Sequence, residues 1–303
     1  MDKLPFIPVF VVGAPRSGTH LLATSLLENM DCVYRNEINE FWKSSHPFLK
    51  TDIIPESKAG AKTIRKKRRQ IARVMADNGN KPIYLEKTVS NALRLPYLRR
   101  IFPEAIFIHI IRDGRASAYS IRKQYYGNIK KITQFDTGDK EKDGRLNNMW
   151  VEIKRRLTKG FNPILFITGF RRYWKTGLLS LGILKFSTWG PRYPGFEYKS
   201  GLLSPIQLAG DQWLTLVSAG KNYFNTHDND NSLIECRYEE LLKNPDEELD
   251  RIIRRIHEKN LAGKPKHNIM NDTPVDSFDA LSPDEKNELS NIISSMQKYL
   301  GYE

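Results

Sequence analysis

The chain predicts an α/β protein: a P-loop-like parallel sheet flanked by helices, with a largely helical insertion. Three observations carry this. Val9 to Leu22, VFVVGAPRSGTHLL, is a β-branched strand running into a Gly/Ser/Thr turn and then an apolar helix. Ala105 to Ile111 is an almost unbroken apolar run that stops at Arg112, the pattern of a strand buried on both faces. Strand patterns alternate with helical ones along the chain, which implies crossover connections.

The first strand leads into the loop with the clearest chemistry. Consecutive backbone N–H groups in such a turn point inward, and the following helix N-terminus adds partial positive charge, so an oxyanion can sit there. Gly13 and Gly18 have the separation of the GxxxxGK triphosphate pattern. The next two positions break it: Thr19 stands where the lysine would reach the β- and γ-phosphates, and His20 where a hydroxyl would hold magnesium. Pro15, Arg16, Ser17, Gly18, Thr19 and His20 are therefore candidates for holding an anion other than a Mg-bound triphosphate.

A second strand is expected near Cys32 to Tyr34, with Glu37 just beyond it and Glu40 and His46 following. Lys58 to Arg73 holds eight cations and reads as a solvated helix face, with contact to an acidic acceptor or a membrane as the alternative. The next strand, Ile83 to Glu86, closes in LEKT at Leu85 to Thr88. Arg112 then lies at the carboxyl end of the Ala105 to Ile111 strand, the edge where open α/β sheets bind ligands. Ser120 follows eight residues later on the next helix, so both side chains can converge on one additional phosphate. Asp113 and Arg115 between them read as the cap and start of that helix.

After Gly127 the pattern fails. Asn128 to Asn148 is polar and charged and reads as a surface loop. Phe161 to Gly190 mixes apolar and aromatic residues with Arg171, Arg172, Lys175 and Lys185, which argues against a membrane span and leaves an interfacial acceptor-side lid, or an ordinary insertion helix packed on the core or at a dimer interface. Regular structure is expected to resume near Gln212, and Leu233 to Cys236 completes the sheet. The whole of 1–303 reads as one domain, with 128–211 as its insertion.

Composition sets outer bounds. The 303 residues can bury a large core. A formal net charge of +13 suits a polyanionic small molecule, nucleic acid or an anionic membrane. The two cysteines, Cys32 and Cys236, lack CxxC neighbours or histidine partners, so neither a disulfide scaffold nor a metal site is expected. Phe6 to Val12 is too short to span a bilayer and reads as a core strand rather than a signal peptide.

The two phosphate segments together resemble the sulfotransferase superfamily, whose donor is 3′-phosphoadenosine 5′-phosphosulfate (PAPS). The resemblance implies that Pro15 to Thr19 grip the 5′-phosphosulfate and that Arg112 and Ser120 grip the 3′-phosphate. It also implies that CRYEELLKNPDEEL, Cys236 to Leu249, is the late strand-to-helix turn whose tyrosine, Tyr238, approaches adenine; packing in the core is the alternative for that ring. LSPDEKNELSNIISSMQKYLGYE reads as the terminal helix. His20 departs from the family, which commonly has threonine there; a hydrogen bond to the 5′-phosphate and a buried structural histidine both remain open. Lys264 and Lys266 lie where family members often close a loop over the donor, with no firm local anchor.

Sulfuryl transfer needs an acceptor hydroxyl or amine to lose its proton as it attacks sulfur. Glu37 is the expected base, with Glu40 and His46 as competitors. Arg16 and Lys87 are expected to stabilise charge on the leaving oxygen; for Lys87 the competing reading is an ion pair with Glu86. The expected products are a sulfated acceptor (carbohydrate, glycolipid or other small molecule) and adenosine 3′,5′-bisphosphate. No metal and no nucleic acid are expected to take part. The insertion is expected on the acceptor side, with a homodimer and peripheral membrane contact as further expectations. Secretory-pathway relatives usually carry an N-terminal anchor, and none is visible, so the expected location is cytoplasmic. A P-loop kinase or NTPase is the competing function, against which Thr19 and His20 count.

Overall fold

The computed structural model describes residues 4–133, 189–227, 230–257 and 278–302. Among the described residues five strands form one sheet: β1 (Ile7–Gly13), β2 (Cys32–Asn36), β3 (Ile83–Lys87), β4 (Ile106–Ile111) and β5 (Leu233–Arg237). All pair in parallel in the order β2-β3-β1-β4-β5, as the continuous apolar strands predict. The chain leaves β1 in the middle and fills one side before returning to the other. The carboxyl end of β1 is thus a point where strand order reverses, the place such sheets bind ligands.

Among the described residues, helices α1 (Thr19–Asn29), α2 (Asn39–Lys43), α3 (Ala61–Ala76) and α4 (Leu95–Ile101) join the first four strands, and α5 (Gly114–Thr133) follows β4. Later come α6 (Phe196–Leu202), α7 (Pro205–Asn225), α8 (Tyr238–Lys243), α9 (Pro245–His257) and α10 (Pro283–Tyr299). The period-two alternation of the strands divides the core. Val9, Val11, Ile106, Ile108 and Ile110 pack with Leu22 and Leu26 of α1 and Ile252 and Ile256 of α9. Phe10 and Phe107 turn to the other face, where their rings stack at 5.4 Å and Trp42 of α2 meets Phe10 edge-on at 6.0 Å.

Two boundaries differ from the sequence reading. Helix α5 continues to Thr133, so the expected loop at 128–148 begins as helix. Helix α7 starts at Pro205 rather than near Gln212, because Ser204 accepts from the Gln207 amide and Gln207 reaches back to the Ser204 amide, a complete capping box.

Contacts divide the chain into one compact unit of Met1–Ile121 with Gly190–Glu303 and a second of Arg122–Trp189. The interfacial segment expected at Phe161 to Gly190 falls almost wholly outside the described residues, as do Lys264 and Lys266. Among the described residues no helix is long and apolar enough to cross a membrane.

Candidate active site

The loop after β1 is shaped by close packing. A Cβ on Gly13 would lie 2.5 Å from the Ile110 carbonyl oxygen, and one on Gly18 would lie 2.3 Å from the Tyr238 ring. Gly18 also sits at φ +86, where side-chain-bearing residues are strained. Both glycines are therefore required by β4 and by the tyrosine that opens α8. No side chain caps α1 and no acid occupies its first turn, so the helix start presents its N–H groups and positive dipole end outward. Ser17 and Thr19 are buried, whereas Arg16 and His20 are exposed. The exposure of His20 removes the buried structural role left open for it.

One side of this loop is lined from β4 and α5. The Arg16 Nε donates to Ser120 Oγ at 2.9 Å, and Arg112 Nη1 donates to the Arg16 carbonyl at 3.1 Å. Arg112 lies over the Tyr238 ring at 4.2 Å. Tyr238 itself is 2 % exposed, wedged under Gly18. Ser117 Oγ meets Ser17 Oγ at 3.3 Å, a contact the sequence reading missed although Ser117 lies one helical turn before Ser120. Two guanidinium groups and two α5 hydroxyls thus converge on one loop.

The strand-end residues behind Arg112 are fixed from the far end of the chain. Asp113 accepts from the Arg115 amide at 2.8 Å and pairs with the Arg115 guanidinium at 2.7 Å, the expected helix-start role. Gln297 of α10 accepts from the Gly114 amide and donates to Asp113, while Glu239 accepts from the Asp113 amide and from the Tyr302 hydroxyl. Burial and the neighbouring Glu239 push the Tyr302 hydroxyl far above its ordinary value, so it remains a donor.

On the other side of β1, β3 ends in Lys87, and Glu37 directly follows the end of β2. Lys87 Nζ lies 2.8 Å from Glu37 Oε1, with the lysine side chain 9 % exposed and the glutamate 45 %. The Glu37 amide donates to the Lys87 carbonyl at 2.7 Å, and the Val89 amide donates to Glu37 Oε2 at 3.4 Å. The competing pairing of Lys87 with Glu86 does not form, because neighbours on a strand point to opposite faces. Glu86 is instead buried, accepting from Trp42, Thr88, Asn91 and Tyr84. Burial raises its pKa against the pull of those four donors.

Arg16 and Glu37 share a backbone peculiarity. Among the described residues only Arg16 (φ 64), Glu37 (φ 47) and Asn80 (φ 51) are non-glycine residues at positive φ. Two of the three are the residues expected to do chemistry, and such strain persists where the surrounding structure enforces it.

The two competitors to Glu37 lie further along. Glu40 is exposed on α2. His46 sits in the turn after α2 with its Nε2 3.3 Å from the Tyr97 hydroxyl. Burial, then the charges of Lys58, Lys67 and Lys66, lower its pKa.

Below Glu37 lies a buried polar network with no sequence signal. Asp52 accepts from Asn39, Lys43, Ser90 and the Arg192 amide, and its own amide donates to the Arg192 carbonyl. Burial alone would raise the Asp52 pKa, but the Arg192 and Asn39 hydrogen bonds and the Lys43 and Arg94 charges hold it below the usual range. Arg94 is fully buried, donating to Asn39 Oδ1 and to the Ser90 carbonyl. Burial lowers its pKa to about 10 against the opposing pull of Asp52, Glu86, Tyr97 and Glu37.

Residues 8–152 match the model described as Sulfotransferase family. The chain has no match among the curated proteins compared. Among solved structures it is similar to the sulfotransferase domain from the curacin biosynthetic pathway, at 14% identity and TM-score 0.47, covering 100% of this chain and 99% of that one. It is also similar to a sulfotransferase from Alicyclobacillus acidocaldarius, at 12% identity and TM-score 0.46, covering 100% and 98%. A third similar structure is mouse sulfotransferase SULT7A1 complexed with PAP, at 14% identity and TM-score 0.43, covering 98% and 86%.

Proposed function

We propose that this chain, whose residues 8–152 match the Sulfotransferase family model, moves a sulfuryl group from PAPS to the hydroxyl or amine of a carbohydrate, glycolipid or other small molecule. The observation that carries the reading is the convergence of Arg16, Arg112 and Ser120 on the loop after β1. Three groups able to donate to anionic oxygens stand beside an uncapped helix start, with no lysine after Gly18. That arrangement favours a sulfated nucleotide over a magnesium-bound triphosphate.

PAPS supplies an activated sulfuryl group whose bridging oxygen departs on the 5′-phosphate. The loop amides and Arg16 bind that end, and Arg112 with Ser120 binds the 3′-phosphate. Tyr238 supports the loop from beneath and stacks on Arg112, and adenine contact from its ring edge is part of the proposal. Glu37 accepts the acceptor proton as the acceptor–sulfur bond forms. Lys87, with Arg16, offsets the negative charge that remains on the bridging oxygen when its bond to sulfur breaks, and adenosine 3′,5′-bisphosphate leaves with that electron pair. The Glu37–Lys87 contact favours Glu37 over Glu40 and His46 as the base.

Calorimetry tests the donor. PAPS and adenosine 3′,5′-bisphosphate are expected to bind without added metal, while ATP binds at least tenfold more weakly with or without magnesium. Magnesium-dependent ATP binding with no PAPS binding would overturn the reading. Turnover with labelled PAPS across sugars, phenols, glycolipids and amines then identifies the acceptor class.

A further inference from the structure

Helix α3 has two unlike faces. Ile64, Lys67, Ile71 and Met75 are buried, whereas Lys62, Arg65, Lys66, Arg69 and Arg73 are exposed. The segment Ala61–Ala76 contains no acid, and among the described residues none of these five exposed cations has an ion-pair partner. Their spacing makes the row self-repelling: Lys62 neighbours Arg65 and Lys66, Arg65 and Lys66 neighbour Arg69, and Arg69 neighbours Arg73, all three or four residues apart. Like charges at that spacing destabilise a helix in water. The row runs about 16 Å along one side, and an anionic surface laid against it would remove the repulsion.

A large exposed apolar residue lies in the segment that α3 holds through Lys67. Lys67 reaches inward to the Phe41 carbonyl and to Ser44 Oγ at 3.0 Å, holding the end of α2 and the following turn against α3. His46, in that turn, lies close enough to feel Lys58, Lys66 and Lys67. Two residues on, Phe48 is 89% exposed, and the exposed Lys50 follows. A linear row of free cations, together with a bare ring in the segment tied to the same helix, matches a lipid headgroup layer, where the cations meet phosphates and the ring enters the acyl boundary. A soluble polyanion would use the cations and gain nothing from Phe48.

We propose that the outer face of α3 and the turn carrying Phe48 form a docking surface for an anionic lipid bilayer. This goes beyond the donor chemistry and does not depend on it. Because Asn39 opens α2 two residues after Glu37, docking there would bring the Glu37 end of the site to the membrane and favour acceptors presented at its surface.

Flotation with vesicles, without donor or acceptor, tests the proposal. Wild-type protein is expected to partition strongly to 7:3 phosphatidylcholine/phosphatidylglycerol vesicles, weakly to phosphatidylcholine alone, and less as salt rises. The variant Lys62→Gln/Arg65→Gln/Arg69→Gln should lose on the order of 100-fold in partitioning, since each cation near an anionic surface contributes about fivefold. The control Lys243→Gln/Lys298→Gln, on other helices, should lose tenfold or less. Phe48→Ser should lose several-fold on vesicles while leaving heparin binding unchanged. Equal losses in the α3 variant and the control would overturn the proposal, as would vesicle binding indifferent to Phe48→Ser, which marks a polyanion site instead. Circular dichroism and calorimetric donor binding on each variant separate a folding defect or a failed donor reading from a failed docking surface.

Discussion

The two flanks of β1 are built on different principles. On the β4 side, Arg16, Ser17, Arg112, Ser117 and Ser120 come from two short segments, one loop and one strand-to-helix turn. On the β3 side, Glu37 and Lys87 are fifty residues apart, and the polar network beneath them joins Asn39, Asp52, Ser90, Arg94 and the Arg192 backbone. The first flank depends on backbone shape and close packing. The second depends on side chains satisfying one another across long sequence distances. A nucleotide held largely through its phosphates can be gripped by compact motifs, whereas a proton acceptor must be aimed by its surroundings.

The largest effect should come from separating the flanks at Glu37. Glu37→Gln keeps shape and can still accept from Lys87, but it cannot take a proton. Turnover should fall about 10²- to 10⁴-fold, with PAPS affinity by calorimetry within a factor of two of wild type. Turnover near wild type in Glu37→Gln, with loss in Glu40→Gln or His46→Ala, would move the base to one of those residues.

Next comes the β4 side alone. Replacing Arg112 and Ser120 with alanine should weaken PAPS roughly 10- to 100-fold, as loss of a charge-assisted phosphate contact does. Adenosine 5′-phosphosulfate, which has no 3′-phosphate, should lose much less. Equal losses for both ligands would make these residues supports of the fold rather than readers of the phosphate.

Gly18→Ala tests the packing claim. Its φ of +86 and the Tyr238 ring 2.3 Å from the new Cβ should cost about 1–3 kcal/mol in folding stability. Gly60, at φ −74 with nothing within 4 Å of a built Cβ, is the matched control and should shift by only about 0.5 kcal/mol. Denaturant midpoints measure both.

The smallest effect separates the sheet from both flanks. His109 on β4 is fully buried against Gly220 and Phe224, and burial, with a lesser push from Lys221, lowers its pKa to about 3. In the folded chain it stays neutral while the unfolded chain takes up a proton below about 6.5. Stability from this site is therefore intact above pH 6.5 and is lost as pH falls toward 3, by about 2 kcal/mol between pH 7 and pH 5. His109→Leu should flatten that dependence; an unchanged slope would place the acid sensitivity elsewhere.

Legibility in the sequence follows the same division. The strands ending at Gly13 and Ile111, the Gly18 turn and the Arg112–Ser120 spacing were readable because each is a contiguous pattern. Glu37 was locatable at a strand end, but its partner was not, since LEKT offers Glu86 and Lys87 side by side and only the pleat tells which faces the site. Lys67 looked like one more solvated cation in a basic run. It is fully buried, and burial, with the nearby Lys66, lowers its pKa to about 7. The Asp52 network had no local signature at all, because its members are ordinary residues that matter only once folding has gathered them.

The strand order carries a consequence for how such a chain can change over generations. With β1 between β3 and β4, the two halves of the site rest on opposite neighbours of a single central strand and share little besides that strand. Substitutions accumulating around β2, α2 and the turn at Phe48 can drift without disturbing the contacts at Arg112 and Ser120. On the proposed assignment of the two halves, such a layout lets a lineage acquire new acceptors while it inherits its donor grip unchanged.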